Sequence, residues 1–150
     1  ATGWIALGIS PRGQMPNSDI MFGWITDNGE IYLQDRYTVG RSYPLYDDQQ
    51  NLTLISGQEM DGMTRIRFTR PQISCDPQDL SFEKGTSRML YAFNKDTDPT
   101  EEFFDENSVV WHGNNKGTQS LNIDTGIPDP VKLENDTEWF DATNDNAHVP

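Results

Sequence analysis

The sequence predicts an all-β fold, an immunoglobulin-like sandwich of two antiparallel sheets. Three observations carry that expectation. Short apolar or alternating runs recur between clusters of turn residues, and no segment sustains a helical period. The aromatic share is high, 11%, in a chain that is only 34% apolar. A helical bundle would need more Leu and Ala on its buried faces. At 150 residues the chain has the length of one domain with a single core.

The elements follow in order. Residues 4–9 form a continuous apolar run closed by Ser10-Pro11-Arg12-Gly13. Residues 19–25 form a second, closed by Asp27-Asn28-Gly29, a strong hairpin signal, with Ile31, Tyr32 and Leu33 as the return strand. Residues 52–55 and 63–69 make another pair around Asp61-Gly62. In the second of these Ile66 and Phe68 fall on one face and Arg65 and Arg67 on the other, the period of a half-buried strand. Residues 89–93 and the short run 120–123 complete the set. Residues 96–107 are acidic and read as a mobile loop. From Asp124 the chain turns Pro- and Asp-rich, so the expected division is a sandwich over 1–123 and a linker over 124–150 leading to a following domain.

The formal charge of −13 argues against nucleic acid and anionic membrane surfaces as partners, because such a surface repels phosphate. It leaves two readings, simple solubility or cation binding. No apolar run approaches the roughly 20 residues that span a bilayer. The chain opens directly on strand-like sequence without a signal peptide, and we expect it to come from inside a longer polypeptide, with a signal and an earlier strand upstream. Two sequons, at Asn51 and Asn135, favour an extracellular or secretory-vesicle setting. The single cysteine, Cys75, is either a buried inert thiol or half of a disulfide whose partner lies elsewhere.

Several motifs then occur in a fixed order: Gly3-Trp4-Ile5-Ala6-Leu7-Gly8-Ile9-Ser10, Met15-Pro16-Asn17-Ser18-Asp19-Ile20, and Tyr32-Leu33-Gln34-Asp35-Arg36-Tyr37. They continue with Asp48-Gln49-Gln50-Asn51, Cys75-Asp76-Pro77-Gln78-Asp79, and the run from His112-Gly113-Asn114 to Gln119-Ser120-Leu121. Over residues 1–123 this set resembles the DOMON domain of monooxygenases of the dopamine β-hydroxylase and tyramine β-hydroxylase type. The resemblance implies a parent enzyme that hydroxylates a small amine, such as a phenylethylamine, with two coppers and ascorbate. It implies downstream copper domains in the same chain as partners, and a homo-oligomer formed through the parent. Copper sites of that kind need several imidazoles each. This chain has two histidines, His112 and His148, far apart, so the chemistry is not expected to reside here.

The same resemblance implies a cation, Ca²⁺ or another hard ion, held by the Asp19 carboxylate, the Ile20 and Arg36 carbonyls, and Asn51. The family pattern commonly has Asp at the last position; Asn keeps an oxygen donor but loses a charge. Asn51 also opens a sequon, and a glycosylated amide does not fit a closed ion site, so the two readings of Asn51 exclude each other. The residues alone are consistent with that constellation: Asp19 stands at a strand entry, Asp35 at a strand exit and Asp47, Asp48 and Asn51 in a loop, and the hairpin brings Asp19 and the Asp35-Arg36 region to one end of a sheet. They are equally consistent with solvated carboxylates at strand ends.

Cytochrome members of the superfamily hold a b-type haem between Met and His, which makes Met15 and His112 an alternative pair. Against it, Met15 sits among Gly, Gln, Pro and Asn rather than an apolar slot. A second alternative is a carbohydrate-binding module using Trp111 and Trp139; Trp4 and Trp24 lie in apolar strands and read as core. For Cys75 the resemblance implies an interdomain disulfide to a cysteine far downstream. A nucleophilic role has little support, since the neighbours of Cys75 are acidic and no histidine is near in sequence.

Overall fold

The computed structural model describes residues 2–82, 85–100 and 102–123, together with the backbone of 137–143. Among them lie nine strands: β1 (Trp4–Ser10), β2 (Asp19–Ile25), β3 (Ile31–Tyr37), β4 (Leu45–Tyr46), β5 (Thr53–Met60), β6 (Met63–Pro71), β7 (Thr86–Asn94), β8 (Lys116–Asn122) and β9 (Thr137–Thr143). They form two antiparallel sheets, one of six strands in the order β4-β3-β2-β1-β7-β8 and one of three in the order β5-β6-β9. The predicted all-β sandwich is what the chain adopts.

Strand β2 explains why its sequence is apolar without alternation. It is buried along its whole length because both its faces are covered. Toward the second sheet, Met21 and Ile25 join Ile9, Ile66, Phe68, Phe82 and Met89 in the inter-sheet core. Gly23 belongs to the same face, and a Cβ there would stand 2.6 Å from the Ile66 Cδ1, so the sheets could not approach as they do. On the opposite face Ile20, Phe22 and Trp24 pack with Trp4 and Phe104 in a second, aromatic cluster.

Phe104 comes from the acidic loop expected to be mobile. It is 3% exposed and seats that loop on the sheet, with ring centroids 4.6 Å from Phe22. Gln34 Nε2 donates to the Glu102 carbonyl at 2.6 Å, and Asp98 Oδ1 accepts from the Gly3 amide at 2.6 Å. An acidic run here encloses one aromatic anchor, which composition averages away.

The β5–β6 hairpin turns at Asp61 and Gly62, both at positive φ (54° and 78°), the backbone a two-residue hairpin of matching twist requires. Along β6 the alternation holds: Ile66 and Phe68 are buried, Arg65 and Arg67 exposed. Several strands extend beyond the expected runs, β5 to Met60, β6 to Pro71 and β7 over Thr86–Asn94 among them. Strand β3 runs on to Tyr37, β8 begins at Lys116, and β4 is additional; each is held by ladder bonds to a neighbour rather than by its own apolar content. Strand β9 falls inside the segment expected to be a linker, and its backbone pairs with β6 from Pro71↔Thr137 to Arg65↔Thr143. The remaining linker residues, 124–136 and 144–150, lie outside the described residues, as do Asn135 and His148. No helix among the described residues is long and apolar enough to cross a membrane.

Candidate metal centre

At one end of the sandwich, the start of β2, the end of β3 and the end of β6 converge with two connections, residues 47–52 and 72–82. Register decides what they present. Met21 faces Asp35 across β2 and β3, so Asp19 and Asp35 follow the inward parity of Met21 and Ile25 and point between the sheets. On β6, Arg70 continues the buried face of Thr64, Ile66 and Phe68 and arrives from the other sheet. Its Nη1 lies 2.8 Å from Asp19 Oδ2, and its Nη2 lies 3.4 Å from Asp79 Oδ2.

Asp19, Asp35 and Asp79 each place one oxygen within 4.8 Å of the others, and Asp47, Asp76 and Asp79 form a second such trio. All five carboxylates are deeply buried: Asp19 is 1% exposed, Asp35 0%, Asp47 1% and Asp76 6%, with the Asp79 side chain at 1%. The protein satisfies one side of each. Asp19 Oδ2 accepts from the Leu80 amide as well as from Arg70, and Asp35 Oδ2 accepts from the Asn51 amide at 3.3 Å. Asp79 Oδ2 accepts from Asn51 Nδ2 at 2.9 Å. Asp47 and Asp76 each use one oxygen to cap their own turn, accepting from Gln49 N and Gln78 N at 2.9 Å. Among the described residues, the other oxygen of all five receives no donor.

Buried acids without counter-charge resist ionisation. Burial pushes the Asp35 carboxyl up to about 8, with the charges of Asp19 and Asp79 adding and Arg70 opposing. Burial likewise raises Asp19, against the pull of Arg70, and raises Asp47. Arg70 is the one guanidinium paired into this cluster among the described residues.

The segment around Gln50 is built to hold this shape. Its Oε1 accepts from Asp35 N at 2.8 Å and its Nε2 donates to Asp35 O and Asp47 O, so the side chain substitutes for a missing ladder strand. The donor set offered inward is oxygen only, which suits a hard cation such as Ca²⁺ and fits Zn²⁺ or copper poorly. A cation among Asp19, Asp35 and Asp79 would be offered carboxylates that each keep one oxygen without a donor among the described residues.

Of the four ligands expected from sequence, Asp19 and Asn51 reach this cluster directly. Ile20 and Arg36 are cross-strand partners one residue beyond Asp19 and Asp35, and their side chains leave on the opposite face. Only their carbonyls are available to an ion. The Arg36 guanidinium instead lies 3.4 Å from the Phe104 ring centroid and donates to Gln34 Oε1 and Pro44 O at 2.8 Å. Burial lowers its pKa to about 10. Asp35 and Asp47 belong to the acidic constellation expected at this end, whereas Asp76, Asp79 and Arg70 were not among the expected residues. Arg70 was legible in the β6 alternation; Asp76 and Asp79 sit in a connection with no period to read. Asp48 is exposed and outside the cluster.

The alternative haem pair is not brought together. The backbone around Met15 is tied to the Ser10 end of β1, where Ser10 Oγ donates to Gln14 O at 2.7 Å and Thr38 Oγ1 donates to Met15 O. His112 packs edge-on against Trp4 at the other end of that strand, 6.4 Å between centroids. Seven residues of strand separate the two ends, about 20 Å. The sheet face near His112 is filled by Trp4, Phe22, Trp24 and Phe104. These residues do not fit a haem iron.

Trp4 and Trp24 are core, as expected, and Trp111 is exposed with Lys116 Nζ 5.7 Å from its ring centroid. The side chain of Trp139 lies outside the described residues. Cys75 is free and exposed, which corrects the reading of it as a buried thiol.

The fold, with this cluster of buried carboxylates at one end, defines a two-sheet β-sandwich module. Comparison with known proteins gives the class its family. The DOMON domain model matches residues 1–94, and the chain belongs to that family. DBH-like monooxygenase protein 1 of Gallus gallus is 32% identical over 151 residues, covering 99% of this chain and 23% of that protein. Human dopamine beta-hydroxylase is 26% identical over 147 residues, covering 97% of this chain and 23% of that protein. The chain thus spans about a quarter of the length of these relatives. Among solved structures, the cytochrome domain of Myriococcum thermophilum cellobiose dehydrogenase superposes with TM-score 0.60 at 19% identity, covering 81% of this chain and 60% of that one. The cytochrome b domain of pyranose dehydrogenase from Coprinopsis cinerea gives 0.61 at 18% identity, covering 81% of this chain and 62% of that one. At that identity the likeness establishes the fold alone.

Proposed function

We propose that this chain is a non-catalytic, calcium-holding accessory domain of a copper- and ascorbate-dependent monooxygenase that hydroxylates a small amine. The observation that carries the calcium reading is the set of buried carboxylate oxygens of Asp19, Asp35 and Asp79 that receive no donor. One guanidinium does not balance them, and a divalent cation does so with the donor chemistry it prefers. The ion joins β2, β3 and the connection after β6, so it ties the two sheets together at one end. Asn51 turns its amide oxygen to the ion on this reading and carries no glycan.

The parent's chemistry rests on the relatives, whose names state monooxygenase and dopamine hydroxylase activities. The domain's contribution is assembly. It operates in a secreted or vesicular compartment, docked to the copper domains, with the exposed Cys75 linking it covalently to them and the parent forming the oligomer.

Elemental analysis of the chain, secreted from eukaryotic cells and gel-filtered with calcium and haem available, tests the reading. We expect bound calcium that falls by about one ion per chain in Asp35→Asn, which keeps shape and removes charge. Absence of calcium overturns the reading, and stoichiometric iron with a Soret band replaces it by a cytochrome.

A further inference from the structure

The second carboxylate trio is a separate feature of the molecule. Asp47 belongs to the connection before β5, and Asp76 and Asp79 to the connection before β7. One oxygen of each lies within 4.8 Å of the other two. Asp47 is 1% exposed and Asp76 6%, so both are withdrawn from solvent. Each spends one oxygen on its own turn, which fixes the direction of the other. Those second oxygens, Asp47 Oδ2 and Asp76 Oδ2, and the free Asp79 Oδ1 receive no donor from the described residues.

In this trio only Asp79 meets a cationic side chain, against Asp19 and Asp79 in the first. Arg70 reaches Asp19 and Asp79, but no guanidinium or ammonium of the described residues forms an ion pair with Asp47 or Asp76. The Gln50 side-chain N–H donates to the Asp35 and Asp47 carbonyls and not to these carboxylates. Two buried carboxylates converging on a third without a positive partner are costly unless a cation joins them.

We infer that Asp47, Asp76 and Asp79 hold a second divalent cation of the calcium type, with Asp79 shared between it and the ion of Asp19 and Asp35. The centre is then binuclear. The first ion links the two sheets, and the second clamps the connection that carries Cys75 onto the connection that carries Gln50. The inference rests on the calcium reading of the first trio, and the two are separable by ion counting.

Calcium chloride titration of the full chain, with native mass spectrometry to count ions, decides it. Wild type is expected to bind about two Ca²⁺, Asp35→Asn about one, and Asp47→Asn/Asp76→Asn about one, with Asp79→Asn losing both. The single change Asp76→Asn, which keeps the turn-capping oxygen, serves if the double variant does not fold; circular dichroism reports that. One ion in wild type, lost in Asp35→Asn and retained in the Asp47/Asp76 variants, overturns the second site and leaves the first standing. One ion lost only in the Asp47/Asp76 variants overturns the shared centre, and no ion at all overturns both.

Discussion

Arg70 Nη1 lies 2.8 Å from Asp19 Oδ2, an ion pair of two buried side chains that reach each other from different sheets. Arg70 also donates to the Leu80 carbonyl and stands 5.3 Å from the Phe82 ring centroid. Removing one member of a buried pair leaves the other charge without compensation, which costs about 3–5 kcal/mol. Arg70→Ala is therefore expected to lose about that much stability in chelator, measured by urea unfolding. Added calcium should restore part of the loss, because the ion replaces the missing positive charge. A variant equally unstable with and without calcium would show that Arg70 acts through packing alone.

The sign of the pH dependence follows from Asp35. Its folded-state pKa is raised to about 8 from the ordinary 3.8, chiefly by burial. The stability that the neutral carboxyl contributes is complete below about pH 4 and disappears as pH rises through about 8. Asp19 and Asp47 shift in the same direction. In chelator, the melting temperature should fall between pH 5 and pH 9 by roughly 5 °C or more. Calcium binds the ionised form, so its affinity should rise over the same window. Calorimetric titration at pH 6 and pH 8 checks this, and an affinity independent of pH would place the ion elsewhere.

Asn51 Nδ2 donates to Asp79 Oδ2 at 2.9 Å. Asn51→Asp exchanges that donor for a fourth charge around the first ion. We expect calcium to bind about tenfold tighter, ~1.4 kcal/mol, while the chelated chain loses stability. Peptide mapping of the wild-type chain secreted by eukaryotic cells should find Asn51 without a glycan. High occupancy there would remove this residue from the ion site.

Phe104 lies on the other face of the six-stranded sheet, under the Arg36 guanidinium and against Phe22. Phe104→Ala should cost about 3–5 kcal/mol, read by chemical denaturation. The calcium stoichiometry should not change, because the cluster it disturbs is separated from the carboxylates by the sheet. Loss of calcium in this variant would mean that the loop supports the ion site through the sheet.

Much of the fold was legible before any coordinates. The apolar runs of β1 and β2, the alternation of Ile66 and Phe68, and Asp61-Gly62 at its turn each satisfy a local rule, and each is where the rule places it. The elements that escaped were β4 and β9, whose residues lack a strand pattern of their own and are held by ladder bonds to β3 and β6. A borrowed strand leaves no period in the sequence.

The site divides in the same way. Sequence order was enough to mark Asp19 and Asn51, because they stand in recognisable motifs at strand ends. The hairpin also placed Asp35 at the same end as Asp19, but nothing joined Asp76 and Asp79 to them, since these lie up to 44 residues from Asp35 and converge with it only when two sheets close on each other. Nor could sequence order tell a solvated acid from a buried one, as Asp47 and Asp48 are adjacent and only Asp47 faces inward. What the sequence by itself determined was the strands with an apolar or alternating pattern of their own and the acidic character of the residues at their ends. Only the tertiary structure decided which carboxylates lose their water together, because burial and convergence belong to the packed sheets and not to any one segment.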